Sequence, residues 1–104
     1  MKMSKALSML AIAAKAGRVA SGETAVEHAV RHGKAALVIL SADASNNTEK
    51  KFRNLCRHAD VPVTVLETKE ALGRAIGKGE RSSAAVLDER LAEEILKRME
   101  QTSD

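Results

Sequence analysis

Hydrophobic residues along the chain follow two alternating patterns, a helical spacing and short continuous apolar runs. The segment from Ser4 to Ala16 is apolar almost all round and ends at Gly17, which predicts a largely buried first helix. A second helix is predicted between Gly22 and Gly33, where glycines mark both boundaries. The predicted inner face of this second helix consists of Ala25, Val26, Ala29 and Val30.

The continuous apolar runs predict strands. The run from Ala35 to Leu40 is typical of a central strand that is covered on both faces. A short extended segment from Arg18 to Ser21 precedes the second helix. Two later strands are predicted, one over residues 63–66 directly after Pro62 and one over residues 84–87.

Three further helices are predicted in the second half of the chain. The third runs from about Thr48 to Ala59, after a loop rich in capping residues, and the short fourth helix has Thr68 as its N-cap. Asp88 and Glu89 begin the last helix, where carboxylates suit the helix dipole. The apolar stripes of these helices are Phe52, Leu55, Cys56 and Ala59; Leu72, Ala75 and Ile76; and Leu91, Ile95, Leu96 and Met99.

Helices that alternate with short strands predict an α/β fold, a three-layer α/β/α sandwich around a mixed sheet of about four strands. We expect one domain over residues 1–104, because this length is close to the commonest domain size. Leu, Ile, Val and Phe make up only 23 residues, whereas Ala supplies 18. The core should therefore be built from closely approaching helices.

The composition excludes several classes of protein. Phe52 is the one aromatic residue, so modules that stack nucleic-acid bases on rows of aromatic side chains are excluded. No apolar run approaches the ~20 residues that span a membrane, and we expect no membrane partner. The lone Cys56 forms no intrachain disulfide and fits a reducing compartment. We therefore expect a cytoplasmic protein.

Charge is distributed unevenly along the chain. Residues 1–34 carry a net +4, residues 35–82 a net +2 and residues 83–104 a net −3, which gives the total of +3. A basic body with an acidic end suits a polyanionic partner that touches one side. A net charge this small is equally compatible with a role in solubility alone.

The sequence offers no catalytic constellation. The GxSxG, GxxxxGK[ST] and GxGxxG motifs are absent, so we expect no enzyme activity and no cofactor. His28 and His32 lie four positions apart, but zinc needs three or four ligands and no other is near in sequence, so no metal site is expected. Cys56 lies on an apolar helix stripe, which favours a packed thiol over a nucleophile.

Two segments remain as candidate binding sites. At Ser21-Gly22-Glu23-Thr24 a helix begins, and Gly22 would let a phosphate backbone approach the free N–H groups, while Glu23 and Thr24 would face base edges. The alternative is that Ser21 simply caps the helix. The second candidate is the loop from Gly77 to Ser83, which suits a mobile phosphate-binding loop or an ordinary connection.

A set of motifs, taken in order, resembles a known family. They are Ser21-Gly22-Glu23, Asp43-Ala44-Ser45, Asn47-Thr48, Lys50-Lys51, Val61-Pro62, Leu72-Gly73-Arg74, Ile76-Gly77-Lys78 and Arg81. Together they resemble the kink-turn RNA-binding superfamily of archaeal and eukaryotic large-subunit ribosomal proteins, and most of all its bacterial YlxQ-type branch. The resemblance covers nearly the whole chain. It implies the same α/β/α architecture and binding of a sharply bent RNA with tandem sheared G·A pairs.

The resemblance also implies a set of site residues. In the wider family the second helix begins with Gly, a variable residue, Asn, Glu and a later Lys, and these positions are Gly22, Glu23, Thr24, Ala25 and His28 here. Only the glycine matches, and the loop that is apolar in the family is charged in this chain. The predicted RNA-binding residues are Ser21, Gly22, Glu23, Thr24, Ala25, His28, Lys34, Lys78, Gly79, Glu80 and Arg81.

The sequence therefore predicts a non-catalytic protein that binds structured RNA, acts as a monomer and is associated with the ribosome. Lys34, with Lys15 or Arg18, would contact flanking phosphates. The main alternative is a protein-interaction adapter on the same fold, in which the basic face of the third helix meets an acidic protein. A third is the substrate-binding part of an RNA methyltransferase, which the absence of catalytic motifs disfavours.

Overall fold

Helices and strands alternate along the whole described part of the chain. The computed structural model describes residues 4–100, so the ends of the predicted 1–104 domain lie outside the described residues. The elements are α1 (Lys5–Lys15), β1 (Val19–Ser21), α2 (Glu23–Arg31), β2 (Leu37–Leu40), α3 (Asn46–Ala59), β3 (Val63–Val65), α4 (Lys69–Ala75), β4 (Ser83–Val86) and α5 (Glu89–Glu100). Within residues 4–100 no helix is both long enough and apolar enough to cross a bilayer.

The four strands form one mixed sheet in the order β1-β4-β2-β3. β2 pairs with β3 in parallel and with β4 antiparallel, while β1 pairs antiparallel with β4. All four residues of β2 are buried, which confirms the predicted central strand. The alternation of its side chains sends Leu37 and Ile39 to one face of the sheet and Val38 and Leu40 to the other.

Two hydrophobic clusters lie on the two faces of this sheet, which confirms the three-layer α/β/α sandwich. On one face α1, α4 and α5 pack over Leu37, Ile39 and Val86. On the other face α2 and α3 pack over Val38 and Leu40. Among the buried helix residues, alanine supplies Ala6 and Ala92 in the first cluster and Ala29 in the second.

Helix boundaries follow from the residues that cap them. Thr68 Oγ1 accepts a hydrogen bond from the Ala71 amide at 3.2 Å, which confirms the predicted cap of α4. The predicted start of α3 was wrong by two residues. The helix begins at Asn46 because Ser45 Oγ accepts from the Thr48 amide at 3.1 Å and completes the first turn earlier.

Three burial predictions need correction. α1 is not buried all round, because it lies in an outer layer beside α5 and Ile12 is 55% exposed on its free side. Ala25 is exposed in the first turn of α2, because the buried face of the helix is formed by Val26, Ala29 and Val30. In α3 only Phe52 and Cys56 are fully buried, while Leu55 is partly buried and Ala59 is exposed.

β1, β2 and β3 end, and β4 begins, at the same end of the sheet. In the register Ser21, at the end of β1, faces Ala84, and Leu40, at the end of β2, faces both Ser83 and Val65. The starts of α2, α3 and α4 therefore lie near this same end of the sheet. The N–H groups at the start of α2 have no side-chain acceptor, whereas Ser45 and Thr68 each accept an amide hydrogen bond at the starts of α3 and α4. The start of α2, with its partial positive charge, therefore favours an anionic ligand.

Candidate functional site

An open groove of about 910 Å³ lies at the end of the sheet where β4 begins, with α2 on one side and residues 80–83 on the other. Nine of the eleven predicted RNA-binding residues line it, namely Ser21, Gly22, Glu23, Thr24, Ala25, His28, Lys34, Glu80 and Arg81. The groove therefore brings together two segments of the sequence that are about 60 positions apart. We refer to this depression as the α2 groove.

Gly22 forms the corner between β1 and α2. Its φ of +91° is rarely adopted by residues that have a side chain, and its amide donates a hydrogen bond to the Ser83 carbonyl at 3.1 Å. Gly22 itself is the N-cap residue, and no side chain caps the helix. The alternative in which Ser21 caps α2 is therefore wrong, and the N–H groups at the start of α2 have no side-chain acceptor.

Ser21 is instead bonded to the opposite wall of the groove. Arg81 Nε donates to Ser21 Oγ at 3.3 Å, and Arg81 Nη1 donates to the Glu80 carbonyl at 3.0 Å. The guanidinium is thus held over the end of β1 and half-buried. Arg81 Nε would also lie 4.0 Å from a Cβ placed on Gly22, so the arginine and the start of α2 are neighbours.

The loop that carries Arg81 is docked on α4 by backbone hydrogen bonds. The Lys78 amide donates to the Gly73 carbonyl at 2.8 Å, and the Arg81 amide donates to the Lys69 carbonyl at 3.0 Å. Gly73 is buried, and a Cβ at this position would collide with the carbonyl group of Gly79. The absence of a side chain at Gly73 therefore lets the loop lie against α4 and sets the position of Arg81.

Two predicted residues of this loop lie outside the α2 groove. Lys78 and Gly79 are both exposed, and neither is among the residues that line the groove. Within residues 4–100 the Lys78 ammonium has no ion-pair partner. Both residues are therefore at the outer edge of the loop, and their predicted contact with RNA remains a prediction.

Glu23 is paired across the helix interface with α3. Lys51 Nζ contacts Glu23 Oε2 at 2.7 Å and Glu27 Oε1 at 2.8 Å, and Glu27 Oε2 also binds Arg31 at 2.9 Å. The Lys51 hydrogen bond, followed by that of Arg31, lowers the pKa of Glu27, and the two glutamates raise the pKa of Lys51. Glu23 is therefore directed toward α3, and its charge at the groove is balanced by Lys51.

Histidine and lysine line the remainder of the groove along α2. The rings of His28 and His32 are stacked with centroids 4.0 Å apart. Within the described residues no group of three or more metal-ligating side chains comes together. Lys34, just after α2, lines the groove and also a second depression of about 410 Å³ that it shares with Arg18.

Six residues that line the groove are absent from the predicted RNA-binding residues, although two of them belong to the candidate loop from Gly77 to Ser83. They are Ala20, Ala29, Thr48, Ser82, Ser83 and Leu87. The three apolar ones come from β1, α2 and the end of β4, and only the pairing of β1 with β4 places them side by side. A strand of small residues next to a helix that has alanine every fourth position is the one signal that could have indicated them.

The thiol of Cys56 takes no part in this site. Its side chain is fully buried in the cluster between α2, α3 and the sheet, and burial raises the pKa of the Cys56 thiol to about 11. A thiol with this pKa is protonated at neutral pH and a poor nucleophile. The structure therefore favours the packed role expected for Cys56.

Comparison with families of known proteins gives a match over nearly the whole chain. Residues 4–96 match the model of the ribosomal protein L7Ae/L30e/S12e/Gadd45 family. The RNA-binding protein YlxQ of Bacillus subtilis is 40% identical over 88 residues, which cover 85% of this chain and 88% of that protein.

Solved structures with a similar fold agree with this match. A protein with unknown function from Bacillus halodurans has a TM-score of 0.90 and 39% sequence identity, with 94% of this chain and 99% of that chain covered. The 15.5kD RNA binding protein of Giardia lamblia has a TM-score of 0.76 and 25% identity, over 91% of this chain and 82% of that chain. The similarity thus extends from the sequence to the arrangement of helices and strands.

Proposed function

Because this chain belongs to the ribosomal protein L7Ae/L30e/S12e/Gadd45 family, we propose that it binds structured RNA in the α2 groove. Two of the similar proteins carry RNA binding in their names. The family and these relatives also make it a non-catalytic protein. The observation that carries the proposal is the convergence of nine predicted residues on a single groove.

The groove offers the two kinds of contact that RNA recognition needs. Unpaired N–H groups at the start of α2, the guanidinium of Arg81 and the ammonium of Lys34 suit phosphate oxygens, which set register and affinity. Thr24 and the exposed Ala25 stand at the first turn of α2, where base edges would lie. Phosphate binding therefore depends on the backbone at the start of α2 and on two cationic side chains, while base contacts depend on side chains of the first turn of α2.

We further propose that the bound RNA contains a kink-turn-like internal loop and that the protein acts on the ribosome, in the cytoplasm, as a monomer and a single domain. The family description names ribosomal proteins, which supports the proposed action on the ribosome. A sharp bend in the RNA would let two segments of one molecule reach α2 and Arg81 together.

A double substitution that restores the family pair tests the kink-turn specificity. Thr24→Asn with Ala25→Glu places an amide and a carboxylate where sheared G·A edges are expected, and both positions are exposed in the groove. One good base contact contributes ~1–3 kcal/mol, so we expect about tenfold tighter binding to a kink-turn RNA. The measurement is a fluorescence titration at one salt concentration.

The control RNA is an uninterrupted duplex of equal length, and its affinity should change less than twofold in the double variant. Equal tightening on both RNAs would indicate a general change in charge or helix stability. Unchanged affinity for the kink-turn RNA would remove the first turn of α2 from base recognition.

A further inference from the structure

The exposed face of α3 carries an excess of positive charge. α3 contains four Lys and Arg residues and one Glu, a net charge of +3 that equals the net charge of the entire chain. By contrast, α2 contains one cationic residue, Arg31, and two acidic residues, Glu23 and Glu27. α3 therefore carries a local excess of positive charge, in addition to the net +4 of residues 1–34.

The cations of α3 divide into two sets by direction. Lys51 points toward α2, where it is paired with Glu23 and Glu27. Lys50, Arg53 and Arg57 lie at positions i, i+3 and i+7 on the outer face and line one shallow depression of about 230 Å³. Of these three, only Arg53 has an ion-pair partner within residues 4–100, namely Glu49 at 3.0 Å.

This basic face begins near the N-terminal turn of α3, the turn that contributes Thr48 to the α2 groove. At ~100° per residue, Lys50 lies about 200° around the helix from Thr48, on the side turned away from the groove. Lys50 and Arg57 are about 10 Å apart along the helix axis, because each residue rises ~1.5 Å. A ligand that passes from the groove around the N-terminal end of α3 would meet this row of cations.

The chemistry of the face favours phosphates as its ligand. The residues of the depression are all charged or amide side chains, with Asn46, Asn54 and Glu49 beside the three cations. A protein–protein interface has an apolar centre in which charged residues are depleted, and this face has none. A polyanion that is held by its backbone needs no apolar anchor.

We propose that the outer face of α3 binds the phosphate backbone of an RNA stem that extends from the α2 groove. This proposal rests on the proposed function, since it assigns a second contact to the same RNA. Phosphate contacts by Lys50 and Arg57 would add affinity without sequence preference. The bound RNA would then contain a stem long enough to cross α3.

The test compares two pairs of exposed cations that have no ion-pair partner within the described residues. Lys50→Gln with Arg57→Gln removes two charges from α3, and Lys5→Gln with Arg90→Gln removes two from α1 and α5 in the opposite layer. Each pair is titrated with two kink-turn RNAs that differ only in stem length, at several salt concentrations. Arg81→Glu serves as the variant of the α2 groove.

We expect the α3 pair to bind the long-stem RNA roughly tenfold more weakly, with a salt slope less steep by about 2. Binding of the short-stem RNA and both affinities of the opposite-layer pair should be unchanged. Parent affinity of the α3 pair for the long-stem RNA would overturn the proposal, as would equal loss in both pairs. Loss of binding in the α3 pair but not in Arg81→Glu would instead refute the α2 groove. Absence of RNA binding by the parent protein would overturn both.

Discussion

Arg81→Glu should weaken RNA binding about 100-fold for every RNA that the protein binds. Arg81 stands over the end of β1, where its Nε donates to Ser21 Oγ at 3.3 Å. The substitution removes a phosphate-binding guanidinium and places a carboxylate beside the N–H groups of α2, so the phosphate backbone meets repulsion at the centre of the groove. Titration with a kink-turn RNA and with a plain duplex measures the loss.

Arg90→Glu is the matched control for this prediction. It produces the same change of charge at an exposed position of α5, in the layer on the other side of the sheet. We expect it to lower affinity less than threefold, through the overall change of net charge alone. Similar losses in the two variants would show that position in the groove has no importance for binding.

Gly73→Val should displace the loop that carries Arg81 and so approach the effect of Arg81→Glu on RNA affinity. A Cβ at Gly73 would collide with the Gly79 carbonyl, which is backbone and cannot rotate away. The Lys78 and Arg81 amides would lose their acceptors on α4. We expect a loss of about 1–3 kcal/mol in the free energy of unfolding, measured by urea titration, together with the loss of binding.

Arg74→Val separates the collision from the general cost of a β-branched residue in a helix. Arg74 is the next residue of α4, and its side chain is 73% exposed and paired with Glu70. This variant should remain close to the parent protein in RNA affinity and lose well under 1 kcal/mol of stability. If Gly73→Val bound RNA as tightly as Arg74→Val, the docked position of the loop would not be needed for binding.

The local features of the fold were predictable because they depend on neighbours in the sequence. Thr68 caps α4 as predicted, and the apolar run of β2 is the buried centre of the sheet. The start of α3 was less predictable, since Ser41, Asp43 and Ser45 are all residues that cap helices. Which of the three caps α3 depends on how the chain leaves β2, where the Ser41 amide donates a hydrogen bond to the Ser82 carbonyl at 2.9 Å.

The contacts that build the candidate site join residues far apart in the sequence. Arg81 and Ser21 are 60 positions apart, and Lys51 and Glu23 are 28 apart. No local pattern indicates such pairs, and the order β1-β4-β2-β3 that produces the first is set by long-range pairing. The resemblance named most of the residues of the groove, but the pairing of Glu23 with Lys51 needed the packing of α2 on α3.

Chemical-shift mapping tests the central claim most directly. Backbone amide signals of the isotope-labelled protein would be followed while a kink-turn RNA is added, with Gly22 resolved in the glycine region of the spectrum. We predict the largest shifts at residues 21–25, His28 and 80–83, and shifts near zero over α5. Saturable shifts confined to α1 and α5, with the signals of residues 21–25 unchanged, would contradict the assignment of RNA binding to the α2 groove.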